Sequence, residues 1–141
     1  MNNAKYNKLI VFNGQIVDTS QPKVMAIINI TPDSFFENSR ANNEESILES
    51  AKYAIENGAD ILDIGGYSTR PGAEVITEKE EIERVRFALN IIRSNFPNIP
   101  LSIDTFRGNV ARIAVKEFGV DMINDVSGFE WDENMLDAII E

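Results

Sequence analysis

The 141-residue sequence predicts an α/β fold: the N-terminal half of a (β/α)8 TIM barrel, preceded by a β-hairpin. Three observations carry the prediction. From Val24 onward, an apolar strand, a polar loop and a helical pattern succeed one another four times. The first of these strands, Val24-Met25-Ala26-Ile27-Ile28, is apolar without interruption, as expected for a parallel strand covered on both faces. A polar residue then stands where each of the four strands is expected to end: Asn29, Asp63, Asp104, and Asn124 with Asp125. In such folds the loops at the C-terminal strand ends share one face of the sheet, so polar side chains at four of these ends converge on one pocket. A doubly wound sheet is the rival. It should carry a glycine-rich phosphate fingerprint after its first strand, where this chain has Asn29-Ile30-Thr31-Pro32.

The hairpin comes first. Residues 1–22 read as a hairpin and linker: two apolar runs, 9–12 and 15–17, flank Asn13-Gly14, a two-residue turn that needs positive φ at both positions. This hairpin is expected to cap one end of the barrel segment. Residues 23–141 hold the four βα units. The first helix is expected over about 44–57, with Ile47, Leu48, Ala51 and Ile55 on one face and Gly58 as its stop. Strand two covers 61–64 and leads into a glycine-rich loop. The second helix has the clearest start, because Thr77 and Glu80 have capping-box spacing. Its stripe is Ile82, Val85, Leu89, Ile92 and Phe96, and Pro97 and Pro100 end it. Strand three is read over 99–103, helix three near 107–118 with Gly119 as its stop, strand four over 120–123, and helix four from about Asp132. The last apolar-periodic segment (Met135, Leu136, Ile139, Ile140) reaches the final residue without a stop signal. Since a complete barrel takes about 250 residues, the expectation is a truncated chain.

Composition bounds the function. Hydrophobic residues make up 43% of the chain, enough for one domain's core, and the formal net charge is −10. So acidic a chain is not built for nucleic acid or an anionic membrane; its charge reads as a solubility device. It has neither cysteine nor histidine, which removes disulfides, thiolate chemistry and histidine-based acid–base or metal sites from these residues. No signal-peptide pattern succeeds the N-terminus and no apolar run approaches the roughly 18 residues that span a bilayer, so a cytoplasmic soluble protein is expected.

The strand-end loops carry the candidate chemistry. The neutral carboxamide oxygen of Asn29 suits Mg²⁺, which takes one or two protein oxygens alongside phosphate oxygens and waters; capping the next turn is the alternative. Phe35 and Phe36 sit in a long polar loop and either close over a planar ligand or fold onto the barrel rim. In Gly65-Gly66-Tyr67-Ser68-Thr69-Arg70-Pro71-Gly72, glycines permit close backbone approach, and Arg70 offers a planar fork of donors for phosphate or carboxylate, or bridges to a nearby acid. Asp104 reads as a ligand carboxylate and Asp63 as a supporting one, with pairing to Arg107 or Arg70 as the competing explanation. Asn124 presents both a donor and an acceptor to a heterocycle edge, while Asp125 is placed to cap its loop.

Taken together, Ile28-Asn29-Ile30-Thr31-Pro32-Asp33-Ser34-Phe35, Asp63-Ile64-Gly65-Gly66 with Ser68-Thr69-Arg70-Pro71-Gly72, Ser102-Ile103-Asp104-Thr105 and Ile123-Asn124-Asp125-Val126-Ser127-Gly128 closely resemble the dihydropteroate synthases. The resemblance implies a pterin-binding TIM barrel of folate biosynthesis, a sulfonamide target. Such an enzyme joins dihydropterin pyrophosphate to p-aminobenzoate and releases pyrophosphate. It implies that Asn29 binds Mg²⁺, that Asp104 and Asn124 hydrogen-bond the pterin with Val126 beside them, and that Thr69, Arg70 and Pro71 shape the p-aminobenzoate and pyrophosphate side under Phe35. Asp104 and Arg70 would be the catalytic pair, acting on developing cationic and pyrophosphate charge. The resemblance also implies a homodimer, and further ligand contacts from a second barrel half. Glu37, Phe36 and Tyr67 depart from the family pattern. The competing readings are the pterin-binding domain of a methyltransferase and a non-catalytic half-barrel binding module.

Overall fold

The computed structural model describes residues 9–12, 15–30, 40–70 and 72–141. Strand β1 (Leu9–Phe12) pairs antiparallel with β2 (Gln15–Asp18), and Phe12 opposes Gln15, as a two-residue connection requires. The predicted Asn13-Gly14 turn itself lies outside the described residues. Four further strands, β3 (Met25–Asn29), β4 (Ile61–Gly65), β5 (Leu101–Asp104) and β6 (Met122–Asn124), form one parallel sheet in the order β3-β4-β5-β6. Chain order and spatial order therefore coincide, as in a barrel; a doubly wound sheet reverses at a switch point. Helices α1 (Arg40–Glu56), α2 (Glu78–Asn95) and α3 (Gly108–Phe118) connect the strands, and α4 (Asn134–Ile140) comes after β6.

The register sorts the strand residues onto two faces. Ile28, Ile64, Ile103 and Ile123 lie abreast in one row, and Ile64 and Ile103 are completely buried. With Leu62 and Leu101 they pack against Ala51 of α1, Val85, Leu89 and Ile92 of α2, and Val110 and Ala114 of α3. Each fully buried aliphatic side chain here stabilises the fold by roughly 1.5–3 kcal/mol. The opposite face carries two other rows: Ile27, Asp63, Ser102 and Met122, then Asn29, Gly65, Asp104 and Asn124 at the C-terminal edge. At the other end of the sheet, buried Phe12 and half-buried Val17 line a small cavity with Ile61 and Pro100, so the hairpin caps the N-terminal strand ends.

Local signals explain the helix limits. The capping box is formed: the Thr77 hydroxyl accepts from the Glu80 backbone N–H, and the Glu80 carboxylate accepts from the Thr77 N–H, each at 3.2 Å. Gly119 closes α3 in the left-handed conformation at φ 60°. Helix α1 opens at Arg40 rather than near residue 44, because asparagines that read as loop on propensity are tolerated in a first turn. No helix among the described residues is long and apolar enough to cross a membrane.

Candidate functional site

The C-terminal row of the sheet is the floor of the site. Asn29, Asp104 and Asn124 are the last residues of β3, β5 and β6, and Gly65 is the last of β4. A Cβ on Gly65 would stand 3.0 Å from Asn29 Oδ1 and 3.6 Å from Asp104 Oδ2, so a missing side chain leaves both oxygens bordering one open space. Above Asn29, Gly65 and Asp104 of this floor opens a cavity of about 460 Å³, walled by Tyr67, Thr69 and Arg70 from the loop after β4 and by Ile76 before α2; Asn124 does not line it. Asn29, Thr69, Arg70 and Asp104, chosen on sequence, thus share one cavity. Phe35 and Pro71 lie outside the described residues.

Asp63 corrects the sequence reading. It is not at a strand end, because β4 continues to Gly65; it lies one row deeper and is 2% exposed. Its Oδ2 accepts from Asn124 Nδ2 at 2.9 Å, so Asn124 has part of its amide committed within the sheet. Asp63 Oδ1 and the adjacent buried Ser102 Oγ have no hydrogen-bond partner among the described residues. Asp125 caps its own loop, accepting from the backbone N–H groups of Ser127 (2.8 Å) and Phe129 (3.0 Å). Val126 is exposed on that loop and does not line the cavity.

Neither Asp63 nor Asp104 pairs with Arg107. The Arg107 guanidinium instead donates to buried Glu81 of α2 at 2.6 Å and to the Ile76 carbonyl at 2.8 Å, while the Thr105 hydroxyl donates to Glu81 at 2.7 Å. Arg70 is exposed, and among the described residues no carboxylate pairs with it. Asp104, half-buried, is pushed up to about 6 by burial first and then by the negative charges of Asp63, Glu81 and Asp125. Burial also raises the Glu81 carboxyl, against the opposing pull of Thr105 and Arg107.

Sequence reasoning misses Glu81, which sits in the acidic first turn of α2. The signal that exposes it is helical phase: Glu81, Val85, Ala88 and Ile92 recur in steps of three and four, and all are buried. Gly66 shows how closely α2 sits. A Cβ there would meet Val85 Cγ2 at 2.9 Å and the Glu81 backbone oxygen at 3.3 Å, so only glycine fits without displacement.

The fold and the site define a class: a parallel α/β barrel segment with a polar pocket at the C-terminal edge of its strands. A family profile described as "Pterin binding enzyme" matches residues 25–141, and the chain belongs to that family. It is 46% identical over 112 residues to a dihydropteroate synthase of Clostridium beijerinckii, covering 79% of this chain and 41% of that protein. It is also 46% identical over 112 residues to the folic acid synthesis protein fol1 of Schizosaccharomyces pombe, covering 79% and 15%. Among solved structures, the Xanthomonas albilineans dihydropteroate synthase with 4-aminobenzoic acid superposes with a TM-score of 0.80 at 39% identity, covering 94% of this chain and 48% of that one. The Burkholderia cenocepacia enzyme complexed with 7,8-dihydropteroate gives 0.71 at 35% identity, covering 94% and 42%. The chain thus spans less than half the length of these relatives, and its sheet corresponds to half of their barrel.

Proposed function

We propose that this chain forms the N-terminal half of a dihydropteroate synthase site, which condenses 7,8-dihydropterin pyrophosphate with p-aminobenzoate in folate biosynthesis. The observation that supports it most is the row of Asn29, Gly65, Asp104 and Asn124, laid edge to edge beneath the loop that carries Thr69 and Arg70. In the reaction, the amine nitrogen forms a bond to the pterin methylene carbon, the carbon–oxygen bond to pyrophosphate breaks, and the amine loses a proton. Positive charge develops on the pterin as pyrophosphate departs, and the Asp104 carboxylate on the cavity floor stabilises it. Arg70 at the mouth offsets charge on the leaving pyrophosphate, with Thr69 and Pro71 shaping the same side and Phe35 closing from the first loop. Asn124 and Val126, which do not line this cavity, would belong to the pterin side at its border with the second barrel half.

Among the described residues no cluster of three or more acidic side chains could hold a metal. The open space beside Asn29 Oδ1 nevertheless suits a hard cation that takes most of its oxygens from pyrophosphate and water. Asn29 would hold Mg²⁺, which supplies charge neutralisation of the leaving group. A cytoplasmic homodimer, with further ligand contacts from a second barrel half, belongs to the same proposal. The synthase and folic acid synthesis names of the relatives favour this reading over a pterin-dependent methyltransferase.

The test is Mg²⁺-dependent pyrophosphate release, with and without p-aminobenzoate, by this chain alone and by this chain joined to the remaining barrel segment of the C. beijerinckii enzyme. Release that requires p-aminobenzoate in either form supports the synthase. Silence from both overturns it.

A further inference from the structure

A ring cluster flanks the cavity. Tyr67 lines it directly. Behind Tyr67 stands Phe106, edge to face with ring centroids 5.6 Å apart, and behind Phe106 stands Trp131 at 5.2 Å, again edge to face. The Arg107 guanidinium carbon lies 5.2 Å from both the Tyr67 and the Phe106 centroids, so one cation bridges two rings. That cation is fixed from behind. Its donors reach the carboxylate of fully buried Glu81 and the carbonyl of Ile76, which itself lines the cavity.

We infer that Tyr67 is a specificity-determining wall for the aromatic ring of the amine substrate, held in place by the Arg107–Glu81 ion pair as a positioning device. The inference rests on the proposed synthase reading and names the part of the site that selects an aryl amine. The chemistry of the cavity is divided. Its floor presents the polar oxygens of Asn29 and Asp104, its mouth presents the Arg70 cation, and Tyr67 is its one aromatic lining side chain among the described residues. An aryl amine matches this division: its ring packs on Tyr67 and its amine is directed to the polar floor, while Arg70 stays with the leaving pyrophosphate. A tyrosine on a loop costs rotamer freedom to hold in one orientation. Stacking on Phe106 and the bridging guanidinium supply that restraint, and Glu81 keeps the guanidinium from swinging to solvent.

The readout is built in, because Trp131 is the sole tryptophan of the chain and ends the ring stack. The full chain, with Mg²⁺ and dihydropterin pyrophosphate present, is titrated with p-aminobenzoate while tryptophan emission is monitored. The non-aromatic trans-4-aminocyclohexanecarboxylate serves as control. The expected result is a saturable change with p-aminobenzoate only, about tenfold weaker in Tyr67→Ala and nearly unchanged in Tyr67→Phe, since a ring contact is worth about one decade in affinity. Arg107→Gln, which keeps the Tyr67 side chain but removes its restraint, should weaken p-aminobenzoate binding in the same direction. In whichever form turns over, these substitutions should raise KM for p-aminobenzoate without a matching fall in kcat or rise in pterin KM.

Equal affinity in the parent and Tyr67→Ala, no saturable change in the parent, or equal binding of the cyclohexane analogue would each overturn the inference. Should Arg107→Gln fail to fold, the two Tyr67 variants still decide it. Pyrophosphate release and tryptophan emission are separate signals. A protein that binds p-aminobenzoate through Tyr67 yet releases no pyrophosphate loses the synthase reading and keeps the wall.

Discussion

The two adjacent glycines at the end of β4 are expected to fail in opposite ways when given a methyl group. Neither has positive φ, so backbone strain is not at issue and the comparison is one of space alone. At Gly66 the new Cβ would meet Val85 Cγ2 at 2.9 Å, Glu81 Cγ at 3.2 Å and the Glu81 backbone oxygen at 3.3 Å. Val85 and Glu81 are both fully buried on α2, so the helix must move away from the strand end. Such overpacking costs about 1–3 kcal/mol. Stiffening of the unfolded chain returns about 0.4–1 kcal/mol, for a net loss near 1–2 kcal/mol and a fall in Tm of roughly 3–8 °C. At Gly65 the Cβ would meet only side-chain atoms: Asn29 Oδ1 at 3.0 Å, Asp104 Oδ2 at 3.6 Å and Asp104 Cβ at 3.8 Å. These can give by a few tenths of an ångström, so Gly65→Ala should leave Tm unchanged or slightly raised, while the methyl fills the space between the two oxygens and lowers turnover at least tenfold. Calorimetry gives the first quantity and p-aminobenzoate-dependent pyrophosphate release the second. A Gly65→Ala protein of full activity, or a Gly66→Ala protein as stable as the parent, would refute the reasoning.

Asp104→Asn should lower kcat more than it weakens p-aminobenzoate binding, because on the proposed mechanism the charge acts on the cation that develops on the pterin as pyrophosphate departs; equal activity in steady-state kinetics would remove Asp104 from the mechanism. The same variant should be more stable than the parent near pH 7 but not near pH 4. With its carboxyl raised from 3.8 to about 6, the folded protein holds that proton more tightly, so stability is lost as pH climbs through this window and the loss is complete above it. After solvent screening of a half-buried group the gain is about 1 kcal/mol, readable as a pH-dependent Tm difference. Pyrophosphate release should correspondingly decline as pH drops through about 6, and a profile flat down to pH 5 would contradict the need for the carboxylate. Glu81→Gln breaks a buried ion pair and should cost about 3 kcal/mol in urea unfolding; a loss under 1 kcal/mol would mean that Arg107 finds another acceptor.

Most of this architecture is legible in the sequence because its signals are local. The capping box at Thr77 and Glu80 and the glycine stop at Gly119 each act within a few residues, and the structure keeps both. The apolar run after Lys23 does form β3, but not as a strand covered on both faces: it is the first strand in the order of the described sheet, and Met25 and Ile27 on its open face are 39% and 64% exposed. The choice of barrel over doubly wound sheet rests on the absence of a glycine fingerprint after β3, and the sequential strand order bears it out. Asp63 is misplaced by one row on sequence because the two glycines after Ile64 read as loop, whereas Gly65 still pairs with Asn29 and Asp104. The Arg107–Glu81 clamp escapes a sequence reading for a different reason. It joins residues on α2 and after β5, and no pattern along the chain reports which of several carboxylates an arginine will reach.

That clamp bears on why the acidic interior of the site is tolerated at all. Asp63, Glu81, Asp104 and Asp125 all crowd the C-terminal end of the sheet, and the first, second and fourth each raise the cost of ionising the third. Each of the other three has its own partner: Asn124 donates to Asp63, Arg107 and Thr105 to Glu81, and two backbone N–H groups to Asp125. Asp104 has no such hydrogen bond among the described residues, and it is the one of the four that lines the cavity. A carboxylate left with no hydrogen bond while each neighbour has at least one is unfavourable for folding and, on the proposed reading, favourable for binding, since an arriving ligand would supply the missing donor. The partnered acids are committed within strand, helix and loop, and the unpartnered one is the acid the proposed ligand would meet.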